Sequence, residues 1–205
     1  LQNQINPHFL HNTLNTIRYM AYVQKEENIV NVVDSLSVLL RNNMRANEYL
    51  TIEEEAQSLR SYLEIQQFRY QDILDYEIQM DEEIYGYIIP KLTLQPLVEN
   101  ALYHGIKNKR GKGKILITGK KQGDKIIFQV IDNGKGMTEE ELNSLRKKMA
   151  GTDTGDEAKG FGVSNVNQRI KYYYGGEYGV FFESKENEGT NATIIIAAKN
   201  IQLLS

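Results

Sequence analysis

The sequence contains no cysteine, which excludes disulfides, thiolate metal sites and cysteine nucleophiles. It has no apolar run near the roughly 20 residues that a bilayer-crossing helix needs, and no secretory leader. It does not begin with methionine: Leu1 already sits in a helix-like pattern, so the chain reads as a piece cut from a longer protein. Positive charge is not in excess. A formal net charge of −3 leaves no basic footprint for duplex DNA or anionic lipid, so no nucleic-acid partner is expected. Glycine is missing from the stretch 1–72, which also holds a single proline, Pro7; all 16 glycines come later.

What is present is an ordinary globular balance. The 205 residues are 40% hydrophobic and 25% charged, enough to form a core in one large domain or two small ones. In the glycine-free part the apolar residues recur at helical spacing. Leu10, Leu14, Ile17 and Ala21 make one stripe, and Ile29, Val32, Val33, Leu36, Leu40 and Met44 a second. Ile52, Ala56, Leu59, Leu63 and Tyr70 make a third. Each stripe predicts a helix burying one face. Breaks fall near Lys25–Asn28 and Asn47–Leu50, and Thr51 with Glu54 is a capping-box signature for the third helix.

From about residue 73 the pattern changes. Leu74, Tyr76, Ile78 and Met80 alternate with polar residues, as in a half-buried strand. A helix is expected from about Thr93 to Ile106, with Pro96 in its first turn, where no backbone donor is needed. Strands follow near Lys114–Lys120 and Lys125–Ile131, joined by a turn at Gln122–Asp124. Thr138 with Glu141 predicts a capped helix, and Gly151–Lys159 a polar loop. A helix near Val163–Tyr174 and strands near Val180–Ser184 and Ala192–Ala198 complete the order. The expected fold class is α+β: an N-terminal helical region, then an α/β sandwich with helices on one face of a mixed sheet.

Three clusters in this half suggest a nucleotide site. Asp132-Asn133-Gly134-Lys135-Gly136-Met137 follows an apolar strand. A carboxylate there can accept from a base amino group, and the glycines let the backbone turn tightly against a ligand. Gly160-Phe161-Gly162-Val163 opens a helix, where backbone N–H groups face anions. Glu99, Asn100 and His104 are polar residues in an apolar helix, the last two sharing a face four residues apart. An amide oxygen such as that of Asn100 is a hard ligand suited to Mg²⁺. Each cluster alone also fits an ordinary turn, helix junction or satisfied polar residue.

Taken in order, with Gly189-Thr190 before the last strand, these clusters resemble the GHKL (Bergerat) ATP-binding fold over about residues 73–200. That superfamily includes histidine kinases, type II topoisomerases and certain ATP-driven chaperones. The resemblance implies that Asn100 binds Mg²⁺ and that Asp132 reads the adenine amino group. It implies that Gly134, Gly136, Met137, Gly160, Gly162, Val163 and Thr190 line the ATP pocket with His104, under a lid at about Thr138–Lys159. Tyr103 stands where many related kinases carry lysine, leaving Lys107, Lys109 or Arg110 to supply charge near the phosphates.

The string Gln4-Ile5-Asn6-Pro7-His8-Phe9-Leu10-His11-Asn12-Thr13-Leu14-Asn15 resembles the phosphoacceptor box of the LytS/YesM-type sensor histidine kinases, as does Glu99–Gly105 their nucleotide-binding helix. At about 100° per residue His8 lies roughly opposite the Leu10, Leu14, Ile17, Ala21 stripe, on the polar side with His11, Asn12 and Asn15. An acceptor needs such exposure, although a solvated surface histidine has it too.

The resemblance implies the cytoplasmic catalytic region of a two-component sensor, whose parent protein is membrane-anchored. Residues 1–72 would form a homodimer and present His8; residues 73–205 would bind Mg-ATP. His8 would be autophosphorylated, and the phosphoryl group would pass to an aspartate in a response regulator receiver domain. Phe9 stands where many histidine kinases carry an acidic residue after the acceptor, which makes Glu99 the candidate general base. Asn12, one turn after His8, is a candidate for positioning water in dephosphorylation, and equally a polar dimer-face residue. The alternatives are a degenerate ATP-binding scaffold and a GHKL ATPase without kinase activity.

Overall fold

A computed structural model describes residues 7–107, 109, 111–150 and 161–199, with Phe161 described by its backbone alone. The helical part opens with an antiparallel hairpin of α1 (Pro7–Val23) and α2 (Glu27–Met44). The turn between them is a Schellman motif. Glu26 N–H donates to Ala21 C=O and Lys25 N–H to Tyr22 C=O, both at 3.0 Å, with Lys25 left-handed at φ 59°. Arg18 Nε donates to Asp34 Oδ1 at 2.7 Å across the hairpin.

The first two stripes are only partly buried. Leu14, Ala21 and Val33 are buried, whereas Ile17, Ile29, Leu36 and Met44 are exposed. The expectation of one buried apolar face per helix is corrected here, because α2 meets the next helix through polar groups. That helix is α3 (Ile52–Arg69). Ser35 Oγ donates to Glu64 Oε2 at 2.6 Å, and Asn42 Nδ2 to Ser58 Oγ at 2.6 Å. With its polar side turned inward, α2 leaves apolar residues outside.

Helix α3 starts as its capping box predicts: Glu54 N–H donates to Thr51 Oγ1, and Thr51 N–H to Glu54 Oε2. Just before it, β1 (Tyr49–Thr51) pairs antiparallel with β3 (Ile88–Pro90), with Leu50 opposite Ile89. Three-residue strands are too short for a period-2 pattern, and neither was expected. The main sheet contains β2 (Leu74–Met80), β4 (Gly113–Gln122), β5 (Lys125–Asp132), β6 (Gly179–Lys185) and β7 (Gly189–Ala197). Its order is β2-β4-β5-β7-β6, parallel only between β2 and β4, so it is mixed as expected.

One sheet face carries the alternating buried residues, among them Ile115, Ile117, Ile126, Phe128, Val130, Ile194 and Ile196. Burying each such side chain contributes about 1.5–3 kcal/mol. Against this face lie α3, α4 (Gln95–Asn100) and α6 (Phe161–Tyr174). The core does not divide at residue 72: Ile52, Leu59, Tyr62 and Leu63 of α3 belong to the same cluster as the strands. The remaining helix, α5 (Glu139–Met149), has the expected capping box, Glu141 N–H donating to Thr138 Oγ1. Its acidic first turn and basic last turn complement the helix dipole.

Glu55 fixes the entry to α4. This buried carboxylate accepts from Leu92, Thr93 and Leu94 N–H at 3.2, 2.8 and 3.0 Å. Burial pushes its pKa up, opposed by those three hydrogen bonds and by the charge of Arg169. A helix N-terminus is a favourable place for a carboxylate, and here it ties α3 to the helix carrying Asn100.

Candidate nucleotide and phosphoacceptor sites

After Asn100 the helix widens into a π-turn over Ala101–Ile106, closed by Lys107 N–H donating to Leu102 C=O at 2.9 Å. Such turns occur often at functional sites, since they re-aim side chains at the cost of regular bonding. Here the π-turn sets Gly105 beneath the end of β5. A Cβ on Gly105 would lie 2.6 Å from Asp132 Oδ1, and one on Gly134 would lie 2.4 Å from the Gly105 backbone. Glycine is therefore required on both sides of this contact.

The contact floors a cavity of about 570 Å³, within the usual range for small-molecule sites. Asn100, Ala101, His104 and Gly105 line it from the α4 side, with Leu97. Lys135, Gly136 and Met137 come from the loop after β5, Glu141 and Leu145 from α5, and Val130, Asp132, Phe182, Thr190 and Ala192 from the strands. Asp132 is buried at its base and accepts from Gly134 N–H at 2.8 Å. Burial raises its pKa from 3.8 to about 6, against backbone hydrogen bonds from Gly134 and Thr190 and the charge of Lys109. A poorly solvated carboxylate facing an apolar cavity is primed to accept from a ligand N–H donor.

Of the sequence-selected residues, Asn100, His104, Asp132, Gly136, Met137 and Thr190 share this cavity. Gly134 shapes it through Gly105. Val163 is buried and Gly162 faces Pro96, a Cβ there lying 3.6 Å from the proline; neither is among the lining residues. Gly160 and residues 151–159 of the expected lid lie outside the described residues, as does Arg110. Lys107 points elsewhere: its Nζ lies 5.2 Å from the Tyr70 ring centre and 5.0 Å from that of Tyr103. Lys109 Nζ donates to Asn133 C=O at 2.6 Å. Among the described residues the lysine lining the cavity is Lys135.

His8 is exposed on α1, apart from the cavity. Asn12 Nδ2 lies 3.3 Å from its Nδ1 and 3.4 Å from its Nε2. The amide therefore lies against both ring nitrogens, one helical turn along α1. Glu99 is half-buried, its Oε1 accepting from Gln95 Nε2 at 2.9 Å, and it contributes to raising the Tyr62 hydroxyl pKa, where burial is the larger cause. Neither Glu99 nor Asn12 lines the cavity.

Two family models match the chain: Histidine kinase over residues 1–74, and Histidine kinase-, DNA gyrase B-, and HSP90-like ATPase over residues 90–200. The sensor histidine kinase YesM of Bacillus subtilis is 38% identical over 98% of this chain and 33% of its own length. The sensor protein LytS of Staphylococcus saprophyticus is 30% identical over 98% of this chain and 34% of its own. This chain belongs to the histidine kinase-, DNA gyrase B- and HSP90-like ATPase family, and over nearly its whole length it is similar to the LytS and YesM sensor proteins. It spans about a third of the length of these relatives. The histidine kinase domain of the blue-light activated kinase of Erythrobacter litoralis EL346 shares its fold. The TM-score is 0.53 over 94% of both chains, at 15% identity.

Sequence reasoning about this member of the ATPase family missed the apolar wall of the cavity. Leu145, Phe182 and Ala192 look like ordinary core positions by periodicity; the sheet register turns Phe182 and Ala192 toward the cavity, and the placement of α5 does so for Leu145. Lys135 was within reach, because it lies inside the glycine box itself.

Proposed function

We propose that this chain binds Mg-ATP in the Asp132 cavity and transfers the γ-phosphoryl group to His8. The observation that carries the proposal is the combination, in one histidine kinase chain, of a nucleotide-sized cavity over a buried carboxylate with an exposed histidine held by an amide. The apolar wall of Val130, Met137, Leu145, Phe182 and Ala192 suits a purine, and Asp132 suits its exocyclic amino group. Asn100, His104 and Lys135 offer polar contacts for phosphates. Among the described residues no group of three or more His, Cys, Asp or Glu side chains forms a metal cage. That fits Mg²⁺ held by Asn100, waters and the phosphates themselves. When bound, the ion neutralises charge developing on the phosphate oxygens.

In the transfer, a lone pair on a His8 ring nitrogen forms an N–P bond to the γ-phosphorus. The bond to the bridging oxygen breaks, and its electrons leave with ADP. The proton on the other ring nitrogen is then lost, to Glu99 or to water. Because the Asn12 amide lies within 3.4 Å of both ring nitrogens, it must move aside to free the attacking one. Glu99 reaches His8 only if the helical hairpin and the cavity approach each other. Full phosphorylation rate in a Glu99→Gln protein with normal ATP binding would remove Glu99 from this role. Asn12 would position water for dephosphorylation, a role that unchanged phosphatase activity in Asn12→Ala would rule out.

The working units in this proposal are the helical region 1–72 and the ATP-binding region 73–205, with α3 built into the core of the second. Exposed Phe9, Tyr19, Met20 and Tyr22, with Ile29 and Leu36, give α1 and α2 an apolar surface that a homodimer would cover. The phosphoryl group would pass to an aspartate of a response regulator receiver domain. No helix among the described residues is long and apolar enough to cross a membrane. The chain would act as the cytoplasmic part of a membrane-anchored sensor. Incubation with γ-labelled ATP and Mg²⁺ tests the proposal: His8→Gln should keep nucleotide binding and lose label, whereas Asp132→Asn should lose both. Label that persists in His8→Gln contradicts it.

A further inference from the structure

We propose that Arg41 forms an anion subsite that holds the phosphoryl group once it is on His8; this rests on His8 being the acceptor. His8 and His11 on α1 line a groove of about 380 Å³ with Ser37, Arg41 and Arg45 from the α2 side. The rest of the lining is proline, leucine and methionine, and no carboxylate contributes among the described residues. That local charge is unlike the chain as a whole, which carries 27 acidic and 24 basic residues. The two arginines differ in availability. Arg45 is paired with Glu54. Arg41 has no ion-pair or hydrogen-bond partner among the described residues, although Asp34 on the same helix and Glu54 on α3 hold other arginines.

A guanidinium presents paired donors that match phosphoryl oxygens. Beside an apolar floor the attraction is less screened than in bulk water. The contact stabilises the phosphorylated ground state, which hydrolysis must leave. Arg41 is in this sense a positioning residue: it retains the phosphoryl group for a recipient, and ATP need not touch it.

Chemical phosphorylation with phosphoramidate tests this independently of the ATP cavity. The P–N bond of phosphoramidate breaks, an N–P bond to His8 forms, and ammonia leaves. The label is located by mass spectrometry, and its half-life on the native chain is compared with Arg41→Gln and Arg41→Lys at neutral pH. Arg41→Gln should shorten the half-life of phospho-His8 by roughly three- to ten-fold. Arg41→Lys should restore part of it, and added salt should narrow the difference. Equal half-lives in the native and Arg41→Gln chains would overturn the subsite, as would chemical label appearing on His11 in place of His8. Failure of ATP labelling alone would count against the proposed function and leave this comparison intact.

Discussion

Replacing Asp132 by asparagine keeps the shape of the cavity floor and an oxygen for the Gly134 N–H, but removes the ability to ionise. Burial moves the Asp132 carboxyl from 3.8 to about 6. At about 1.4 kcal/mol per pH unit, that displacement is worth about 3 kcal/mol. The sign follows from linkage. The folded pKa lies above the unfolded one, so the protonated form favours folding. The contribution is full below about pH 4 and lost as pH rises through about 6. At neutral pH the native chain therefore carries the cost of an ionised buried carboxylate. Asparagine avoids it but turns an N–H toward a backbone donor at Thr190, giving back about 1 kcal/mol. The expected net gain for Asp132→Asn is about 2 kcal/mol at neutral pH, or about 4–8 °C in Tm for a chain of this size. Denaturation of both proteins without nucleotide, from about pH 4 to 8, should show the difference in favour of asparagine growing between 4 and 6 and flat above. A variant less stable than native at neutral pH, or a difference that ignores pH, refutes the reasoning. ATP affinity should move the other way: lost in the variant at every pH, and in the native chain falling as pH drops through about 6.

Glu55→Ala should destabilise by about 3 kcal/mol in urea denaturation, because it orphans three N–H groups at the start of α4, those of Thr93 and Leu94 buried; Glu55→Gln should cost less. Gly134→Ala should fold poorly or lose nucleotide binding, since its Cβ would sit 2.4 Å from the Gly105 backbone; normal ATP titration calorimetry would show that the contact can relax. Lys25→Gly should raise stability by up to about 1 kcal/mol, because glycine removes the side-chain penalty of the left-handed turn at φ 59°.

Features with strong local chemistry were legible in the sequence. The capping boxes at Thr51 and Thr138, the turn after Gln122 and the alternation in β2 each leave a signature within a few residues. The cavity was legible where chemistry is carried by rare residue types: Asp132, Asn100, His104 and the glycines. What escaped depends on tertiary placement. β1 and β3 are too short to show a period, and a π-turn has nearly the same apolar pattern as an α-helix. Gly105 looks like a helix end until Asp132 is seen above it. Apolar spacing in α2 gave the helix but not its buried side, because Ser35 and Asn42 face α3 and Ile29 and Leu36 face outward. Lys107 was named for phosphates by its place after the helix, yet it lies over two tyrosine rings, and Lys135 lines the cavity.

The central claim is tested most directly by locating the phosphoryl group after incubation with Mg-ATP, by peptide mass spectrometry under alkaline conditions. An acid-labile phosphoryl group on His8, absent when Asp132 is asparagine, is the predicted result. ATP bound in the cavity with no phosphoryl group on His8, or a group on another residue, would contradict it.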